Sequence, residues 1–372
     1  MEIYLEDNFD LSRTGEVCDQ IEAVAKECGV KIDSMNLDRG STGLAKIEIK
    51  ARDTHRIPID RVENLPFVAR VARLLPSYKL ISRKFNPDPL EIHIHGDSRI
   101  GAGHFLWTVG PCAVEEEGLY HEIIDAIMGV PFPAEANMHV AFRGFVDKNR
   151  TSVYSWEGIR DAGIPWVRAM KDKYHCAAAN EIMSIVDIDK YRQDGTFDIL
   201  QVGTRSAEFA RLFDALGRTE FTIYLKNGRG NTIDEFLNYA ERIVAGGNPK
   251  VVLVVRGTQT TNPKYLRNAA ALEWGPVLRG LTRQPVVFDC SHSVGQRELV
   301  VDAMMAAVAA GFDGLETDVH AAPERAKVDG RQALLPEIYE TMAKYVMEAR
   351  LAYLERHRAF TERGYMGHFM NP

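Results

Sequence analysis

Val251-Val252-Leu253-Val254-Val255-Arg256-Gly257 decides how the rest of the chain is read. Five consecutive apolar residues, four of them β-branched, carry no polar alternation, so a strand built from them is buried on both faces, as in a parallel sheet covered by helices. The run then ends on a cation. Working outward, the same layout of apolar segment followed by polar residues recurs at 106–112, 138–145, 176–183, 199–203, 222–226, 286–291 and 314–320. Between these segments lie amphipathic stretches such as 206–216, 233–245 and 297–310. Eight parallel strands, each followed by a helix, occupy ~250 residues in a TIM (β/α)8 barrel, and the span 105–347 has that size. A doubly wound open sheet is the alternative, but it usually begins with a glycine-rich phosphate turn that this sequence lacks.

Ahead of the barrel, residues 1–88 read as strand, helix, strand, strand, helix, strand, the split βαβ order of an α+β ferredoxin-like domain. Its first helix places Val17, Ile21, Val24, Ala25 and Cys28 on one apolar face, and Gly29 follows as a stop. The strands are expected at 2–5, 30–37, 43–51 and 78–85, and a second helix at 59–75 with Leu65, Val68, Ala69, Val71 and Ala72 as its apolar positions. Taken alone, such a domain is either a solvated cap or a unit with a ligand of its own. Residues 89–103 are expected as a linker and connecting segment after Asn86-Pro87-Asp88-Pro89, 104–349 as the barrel, and 350–372 as a C-terminal extension.

Composition narrows the function. The chain has 372 residues with 45% hydrophobic and 26% charged content, the balance of an ordinary globular protein. A net charge of −7 argues against non-specific nucleic-acid binding, so any anionic ligand must be held by locally placed cations. No run of ~18 apolar residues is present, and Met1-Glu2-Ile3-Tyr4-Leu5-Glu6-Asp7 lacks the basic-then-apolar layout of a signal peptide. Five scattered cysteines, Cys18, Cys28, Cys112, Cys176 and Cys290, fit a reducing compartment, and a cytoplasmic protein is expected.

TIM barrels build their active sites at the C-terminal ends of the strands. Here those ends and the loops after them carry Cys112, Arg143, Lys148, Arg150, Glu181, Arg205, Lys226, Arg256, His292, Asp318 and His320. The cations among them come from four strands, which suits a ligand with several anionic groups, phosphate above all, because guanidinium and phosphate pair in a fork. A second set, Cys112, His292, Asp318 and Asp329, combines thiolate, imidazole and carboxylate, the donors of a borderline divalent ion such as Zn, Fe, Mn or Co. Each member alone has a plainer reading: Cys112 as a small buried side chain, His292 as an ordinary hydrogen-bonded histidine, Asp329-Gly330 as a turn.

Gly110-Pro111-Cys112-Ala113-Val114-Glu115 resembles the first-strand motif of the enzymes that condense phosphoenolpyruvate with an aldose phosphate, the 3-deoxy-D-arabino-heptulosonate 7-phosphate (DAHP) and 3-deoxy-octulosonate 8-phosphate synthases. Leu200-Gln201-Val202-Gly203-Thr204-Arg205, Leu225-Lys226-Asn227-Gly228, Val255-Arg256-Gly257, Asp289-Cys290-Ser291-His292-Ser293 and Val328-Asp329-Gly330-Arg331-Gln332 resemble further motifs in the family's order. Tyr78-Lys79-Leu80-Ile81-Ser82-Arg83 resembles the ferredoxin-like domain of one heptulosonate branch. The resemblance implies a metal-dependent condensation at the opening of the shikimate route to aromatic amino acids, with metal ligands Cys112, His292, Asp318 and Asp329. It places phosphoenolpyruvate against Arg143, Lys148, Glu181, Arg205, Lys226 and Arg256, with Asp289 beside them, and the aldose phosphate against Lys148, Asn149, Arg150, Thr151 and Ser152. It implies catalytic roles for Lys148, Cys112 and His292. It further implies a homo-oligomer, dimer or tetramer, and an aromatic amino acid as effector of the N-terminal domain.

Three departures from the family's pattern bear on the substrate and on the metal ligands. The aldose loop reads Asp147-Lys148-Asn149-Arg150-Thr151-Ser152, between the Lys-Pro-Arg-Thr-Ser of the heptulosonate branch and the Asp-Lys-Ala-Asn-Arg-Ser of the octulosonate branch. Phe288 to Val294 leans to the octulosonate side, whereas Arg205 and Arg267-Asn268 lean to heptulosonate. The family has Glu before Val-His on the last strand, where this chain has Asp318-Val319-His320; Glu316, two residues back, faces the same side one layer deeper, and the reading favours Asp318 as the ligand. Erythrose 4-phosphate is the expected aldose. The rivals are the same chemistry on another aldose phosphate in a specialised pathway, and a catalytically silent sensor of sugar phosphate or amino acid.

Overall fold

The computed structural model describes residues 1–7, 9–39, 45–51, 53–72, 77–149, 152 and 154–363. The chain divides into two units, Met1–Ser77 and Tyr78–Pro372. In the first, β1 (Glu2–Leu5), α1 (Thr14–Glu27), β2 (Ser34–Arg39), β3 (Ala45–Lys50), α2 (Ile59–Glu63) and β4 (Val68–Ala72) form a four-stranded antiparallel sheet in the order β2-β3-β1-β4 with its helices. This is the expected ferredoxin-like topology. Helix α1 buries Val17, Ile21, Val24 and Ala25 against Ile3, Leu5, Ile47 and Ile49, and Gly29 ends it at φ 68°.

The second half of this unit departs from expectation. The helix expected over 59–75 stops at Glu63, and Val68–Ala72 is the fourth strand, paired with β1 through Ile3↔Val71. Pro66 and Phe67, at φ 69°, break the helix between the two. The strand expected at 78–85 is not formed. Those residues belong to the second unit, so the division falls at Ser77, ahead of the expected residue 88. There Tyr78 and Ile81 are buried in the barrel's outer core, and the Glu241 carboxylate accepts the backbone N–H groups of Lys79, Leu80 and Ile81 at 2.7–3.1 Å.

The second unit opens with a hairpin absent from the sequence reading, β5 (Ile92–His95) and β6 (Ser98–Ile100). The eight apolar runs then form β7 (Phe105–Gly110), β8 (Met138–Arg143), β9 (Ala177–Ile182), β10 (Ile199–Val202), β11 (Thr222–Lys226), β12 (Val251–Val255), β13 (Val286–Asp289) and β14 (Gly314–Asp318). All pair in parallel with their chain neighbours, and β14 pairs with β7 to close the barrel. Helices α3 (Glu117–Met128), α4 (Ile164–Tyr174), α5 (Val186–Asp194), α6 (Ala210–Leu216), α7 (Ile233–Ala245), α8 (Trp274–Leu281) and α10 (Arg297–Ala310) connect consecutive strands, with the short α9 (Cys290–Val294) inserted directly after β13. Helix α11 (Pro336–Glu362) runs unbroken through the boundary expected at 349.

Two faces of the strands make two cores. The outward residues pack on the helices, while Leu106, Ala141, Ala177, Ala179, Ile199, Tyr224, Val252, Val254 and Val287 fill the barrel interior. Ile92 and Ile100 of the hairpin join that interior cluster, and Ser98 Oγ both donates to Val140 O at 2.7 Å and accepts from Ala177 N at 3.0 Å. The hairpin thereby seals the N-terminal end, leaving the C-terminal end for polar groups. No helix among the described residues is long and apolar enough to cross a membrane.

Candidate active site at the C-terminal ends of the barrel strands

Strand β7 ends at Gly110, whose φ of 148° carries the chain inward; a Cβ there would lie 2.9 Å from the Arg143 carbonyl. Cys112 follows, buried, and its Sγ donates to Asp329 Oδ2 at 3.3 Å and stands 3.8 Å from His292 Nε2. His292 is delivered by α9, which starts because the Asp289 carboxylate caps it, accepting His292 N at 2.9 Å. The same oxygen lies 3.1 Å from His292 Nδ1, turning Nε2 toward Cys112 and, at 3.4 Å, Asp329 Oδ2.

Sulfur, nitrogen and oxygen therefore form a triangle with edges of 3.3, 3.4 and 3.8 Å. Donors of a tetrahedral site with ligand bonds of ~2.0–2.3 Å stand ~3.3–3.6 Å apart, so this triad fits a borderline divalent cation. Asp318 groups with Cys112 and His292 within 4.8 Å, and its Oδ2 is 3.7 Å from His292 Nδ1. Glu316 also lies near His292, grouped with Asp289, but it is engaged by Arg143 and by Lys226 Nζ at 3.0 Å.

Beneath and beside the triad lies a buried ionic layer. Arg143, fully buried, pairs with Glu316 and, at 3.1 Å, with Asp318 Oδ1. Lys226 Nζ donates to Asp289 Oδ2 at 2.6 Å. Burial pulls the Lys226 ammonium below its ordinary pKa, with Asp289 opposing. Burial also disfavours an imidazolium at His292, but Asp289 and Asp318 outweigh it and raise that group to about 10. Against its burial, Asp329 is held well below the carboxylate range by hydrogen bonding and charge from His292, then by Arg267 and Cys112. A cation seated at the triad would compete with the His292 proton for the same negative field.

Other cations face the mouth. Lys148 Nζ donates to Cys112 O at 2.9 Å, stands 3.4 Å from Cys112 Sγ, and pairs with Glu181 at 3.5 Å. Although buried, it is raised above its ordinary pKa by Cys112 and Glu181. Gly203 leaves room for that glutamate, since a Cβ there would sit 2.2 Å from Glu181 Oε1. Arg256 is lowered to about 10, first by burial and then by the like charges of Arg267, Arg229 and Arg205, with Asp289 opposing. Arg205 Nη1 donates to Asn149 O at 3.0 Å, tying the fourth barrel strand's loop to the second's. Ser152 accepts from Tyr154 N at 3.3 Å, while Arg150 and Thr151 lie outside the described residues.

Two site residues were read only as parts of motifs and given no role. Gln332, buried, donates to Asp318 Oδ2 at 2.6 Å and accepts from Arg267 Nη1 at 2.6 Å. Arg267 in turn donates to Asp329 Oδ1 at 3.0 Å. Amide and guanidinium thus clamp both aspartates. Gln332 stands three residues after Asp329, and that spacing was the available signal. For Arg267 the signal is its lean, with Asn268, to the heptulosonate branch, which says nothing of its contacts.

Comparison with known proteins matches this architecture. The model of the DAHP synthetase I family matches residues 86–355. A phospho-2-dehydro-3-deoxyheptonate aldolase of Thermotoga maritima is 36% identical over 78% of this chain and 83% of its own length. A 2-dehydro-3-deoxyphosphooctonate aldolase of Desulfosudis oleivorans is 27% identical over 70% of this chain and 96% of its own. The crystal structure of the Thermotoga maritima heptonate aldolase, a DAHP synthase, superposes with a TM-score of 0.77 at 31% identity, covering 94% of this chain and 97% of that one. A family match across the whole barrel, on a fold that gathers cations and metal-type donors at one end, makes the chain a member of the DAHP synthetase I family.

Proposed function

We propose that this chain condenses phosphoenolpyruvate with erythrose 4-phosphate in the cytoplasm, as a 3-deoxy-7-phosphoheptulonate synthase that depends on a divalent cation held by Cys112, His292, Asp318 and Asp329. The observation that carries the metal reading is the triangle of Cys112 Sγ, His292 Nε2 and Asp329 Oδ2, with edges of 3.3–3.8 Å. Asp318 is the fourth ligand in this reading, because its carboxylate groups with Cys112 and His292, whereas Glu316 groups with Asp289 and His292 and is paired with Lys226 as well as Arg143. When bound, the cation would orient and polarise the aldehyde.

The chain's own residues supply the rest. In the condensation C3 of phosphoenolpyruvate bonds to the aldehyde carbon, water adds at C2, and phosphate departs. Negative charge develops on the aldehyde oxygen, and fixed cations stabilise it without reorganising. Lys148, protonated and beside Cys112, is the group placed to protonate that oxygen. In this reading Arg256, Arg205 and Lys148 hold the phosphate and carboxylate of phosphoenolpyruvate, supported by the excess of positive charge around Arg256, and the sequence Lys148 to Ser152 binds the aldose phosphate. Arg143 and Lys226 act from below, setting the field and the positions of Asp318 and Asp289.

A second reading, the octulosonate branch's five-carbon aldose, rests on Asp147 in the aldose loop, whose carboxylate is held by the Tyr191 hydroxyl. The deciding experiment incubates the protein with phosphoenolpyruvate, metal and aldose phosphates of four to six carbons, recording phosphate release and product mass. Erythrose 4-phosphate is expected to turn over fastest. Cys112→Ala, or chelation, is expected to abolish turnover, with manganese, cobalt or zinc restoring only the chelated wild type. Full activity of metal-stripped protein overturns the metal reading, and preference for a five-carbon aldose overturns the substrate.

A further inference from the structure

On the outside of the barrel, away from the strand ends, α8, the C-terminal end of α10 and α11 border an open cavity of about 260 Å³. It is lined by Pro276, Arg279, Ala310, Tyr353, Arg356, His357 and Phe360. Its lining is largely apolar, yet cations surround it. The guanidiniums of Arg279, Arg350 and Arg356 each lie 5.4–5.5 Å from the centre of the Tyr353 ring. Burial, and then the charges of Arg279, Arg350, Arg356 and Arg83, push the His357 imidazole below its ordinary pKa.

The partners of these four arginines are neutral. Arg279 donates to Gly311 O at 3.0 Å and to the Tyr353 hydroxyl, Arg356 to Ala309 O at 2.5 Å, Arg350 to Gly103 O at 2.9 Å, and Arg83 to Thr282 O at 2.9 Å. Among the described residues none of the four lies in an ion pair, and Arg350, itself buried, leaves its Nε without a hydrogen-bond partner. A carboxylate acts on Arg83, Arg279 and Arg350, that of Asp313, which is buried and accepts Val286 N at 2.9 Å. Capping the C-terminus of α10 accounts for part of the arrangement, but a helix end offers only about half a negative charge. With Asp313 counted as well, the four arginines keep an excess of more than two positive charges among the described residues, and two of them, Arg279 and Arg356, line the cavity, in a chain whose net charge is −7.

We propose that this cavity is a binding site for a small amphiphilic anion, a phosphate or carboxylate carried on a compact apolar body. The Tyr353, Phe360 and Ala310 surfaces take the apolar part, and Arg356 and Arg279, each with donors beyond the one given to α10, take the charge. At about 260 Å³ and open on one side, the cavity is of a size for one ring with its anionic group.

The test is calorimetric titration of the full chain, saturated with phosphoenolpyruvate, using phenyl phosphate and phenylacetate as probes. Inorganic phosphate serves as the charge-only control and benzyl alcohol as the apolar-only control. At least one probe is expected to bind with a sub-millimolar Kd, and both controls at least about tenfold more weakly. Which probe prevails identifies the anion. Arg356→Gln removes an exposed charge and Ala310→Leu fills the cavity without touching one; each is expected to weaken the probe at least about tenfold while leaving probe-free turnover unchanged. Absence of binding by both probes, or equal binding to wild type and Arg356→Gln, overturns the proposal. Ala310→Leu separates loss of shape from loss of charge.

Discussion

Replacing Gln332 by methionine tests whether the clamp around the two aspartates governs metal affinity. Methionine keeps the length of the side chain and removes its donor and its acceptor. In the wild type the amide donates to Asp318 Oδ2 and accepts from Arg267 Nη1, both at 2.6 Å, and Arg267 passes the constraint on to Asp329 Oδ1 at 3.0 Å. Both lost hydrogen bonds involve a charged partner and are worth ~1.5–3 kcal/mol each. Asp318 would still be held on its other oxygen by Arg143 at 3.1 Å, and Arg267 would keep Asp329, so the site loosens without collapsing. Loss of such outer partners typically costs ~10–100-fold in metal affinity. The assay is cobalt titration of chelator-treated protein, followed by the charge-transfer absorption of a cobalt–thiolate bond. The expected result is cobalt binding ~10–100-fold weaker in Gln332→Met, with the absorption recovered at saturation. Equal cobalt affinity in the two proteins refutes the clamp. Failure of the wild type to bind cobalt refutes the metal site itself, which is a separate outcome.

His292 gives a pH signature in metal-free protein. Its folded pKa, raised to about 10, exceeds the ~6.5 of an unfolded histidine, so its stabilising contribution is complete below ~6.5 and lost as pH rises through about 10; thermal unfolding in chelator across that window measures it. Metal affinity should rise with pH over the same window, because ligation displaces the proton. Lys148→Ala is expected to lower kcat by at least ~100-fold through loss of the acid beside Cys112, whereas Arg150→Lys keeps charge but loses the fork and should chiefly raise the aldose KM; steady-state kinetics with each substrate varied separates the two. A chain beginning at Tyr78 is expected to stay folded and active. One beginning at Pro89 loses the buried Tyr78 and Ile81 and the segment gripped by Glu241, at ~1.5–3 kcal/mol per buried side chain, and should melt several degrees lower. Equal melting temperatures would show that residues 78–88 do not belong to the barrel's fold.

The barrel was legible because its strands are buried on both faces, so each reads as an uninterrupted apolar run whatever its neighbours are. The second half of the first unit was not, and the cause is one irregularity. In β4, Val68 and Val71 are buried while Ala69 and Arg70 are exposed, a spacing of three that imitates a helix. The pairing with β1 explains it: Tyr4 faces Arg70 but Leu5 faces Val68, so the register shifts by a residue and brings both valines to the core face. Leu65, Val68, Val71 and Ala72 therefore satisfied a helical pattern that the backbone does not have. A strand with a bulge cannot be told from a short helix by periodicity alone.

At the candidate site, residue type and strand end gathered the cations at one end of the barrel but could not rank them. Arg143, Lys226 and Arg256 look alike in sequence, each a cation closing an apolar strand. Their surroundings differ in the number of carboxylates facing them. Glu316 and Asp318, two residues apart on β14, project to the same side, and Arg143 bridges them while Lys226 joins Glu316 to Asp289. Those two cations are neutralised in the layer below the mouth. Arg256 meets Asp289 but also Arg205, Arg229 and Arg267, so its neighbourhood keeps an excess of positive charge. An incoming dianion gains most where cations are least compensated, which supports the proposed phosphate contacts of Arg256 and Arg205 over any at Arg143. That division follows from which acid lies across the barrel from each cation, and it becomes visible only once β14 is closed against β7.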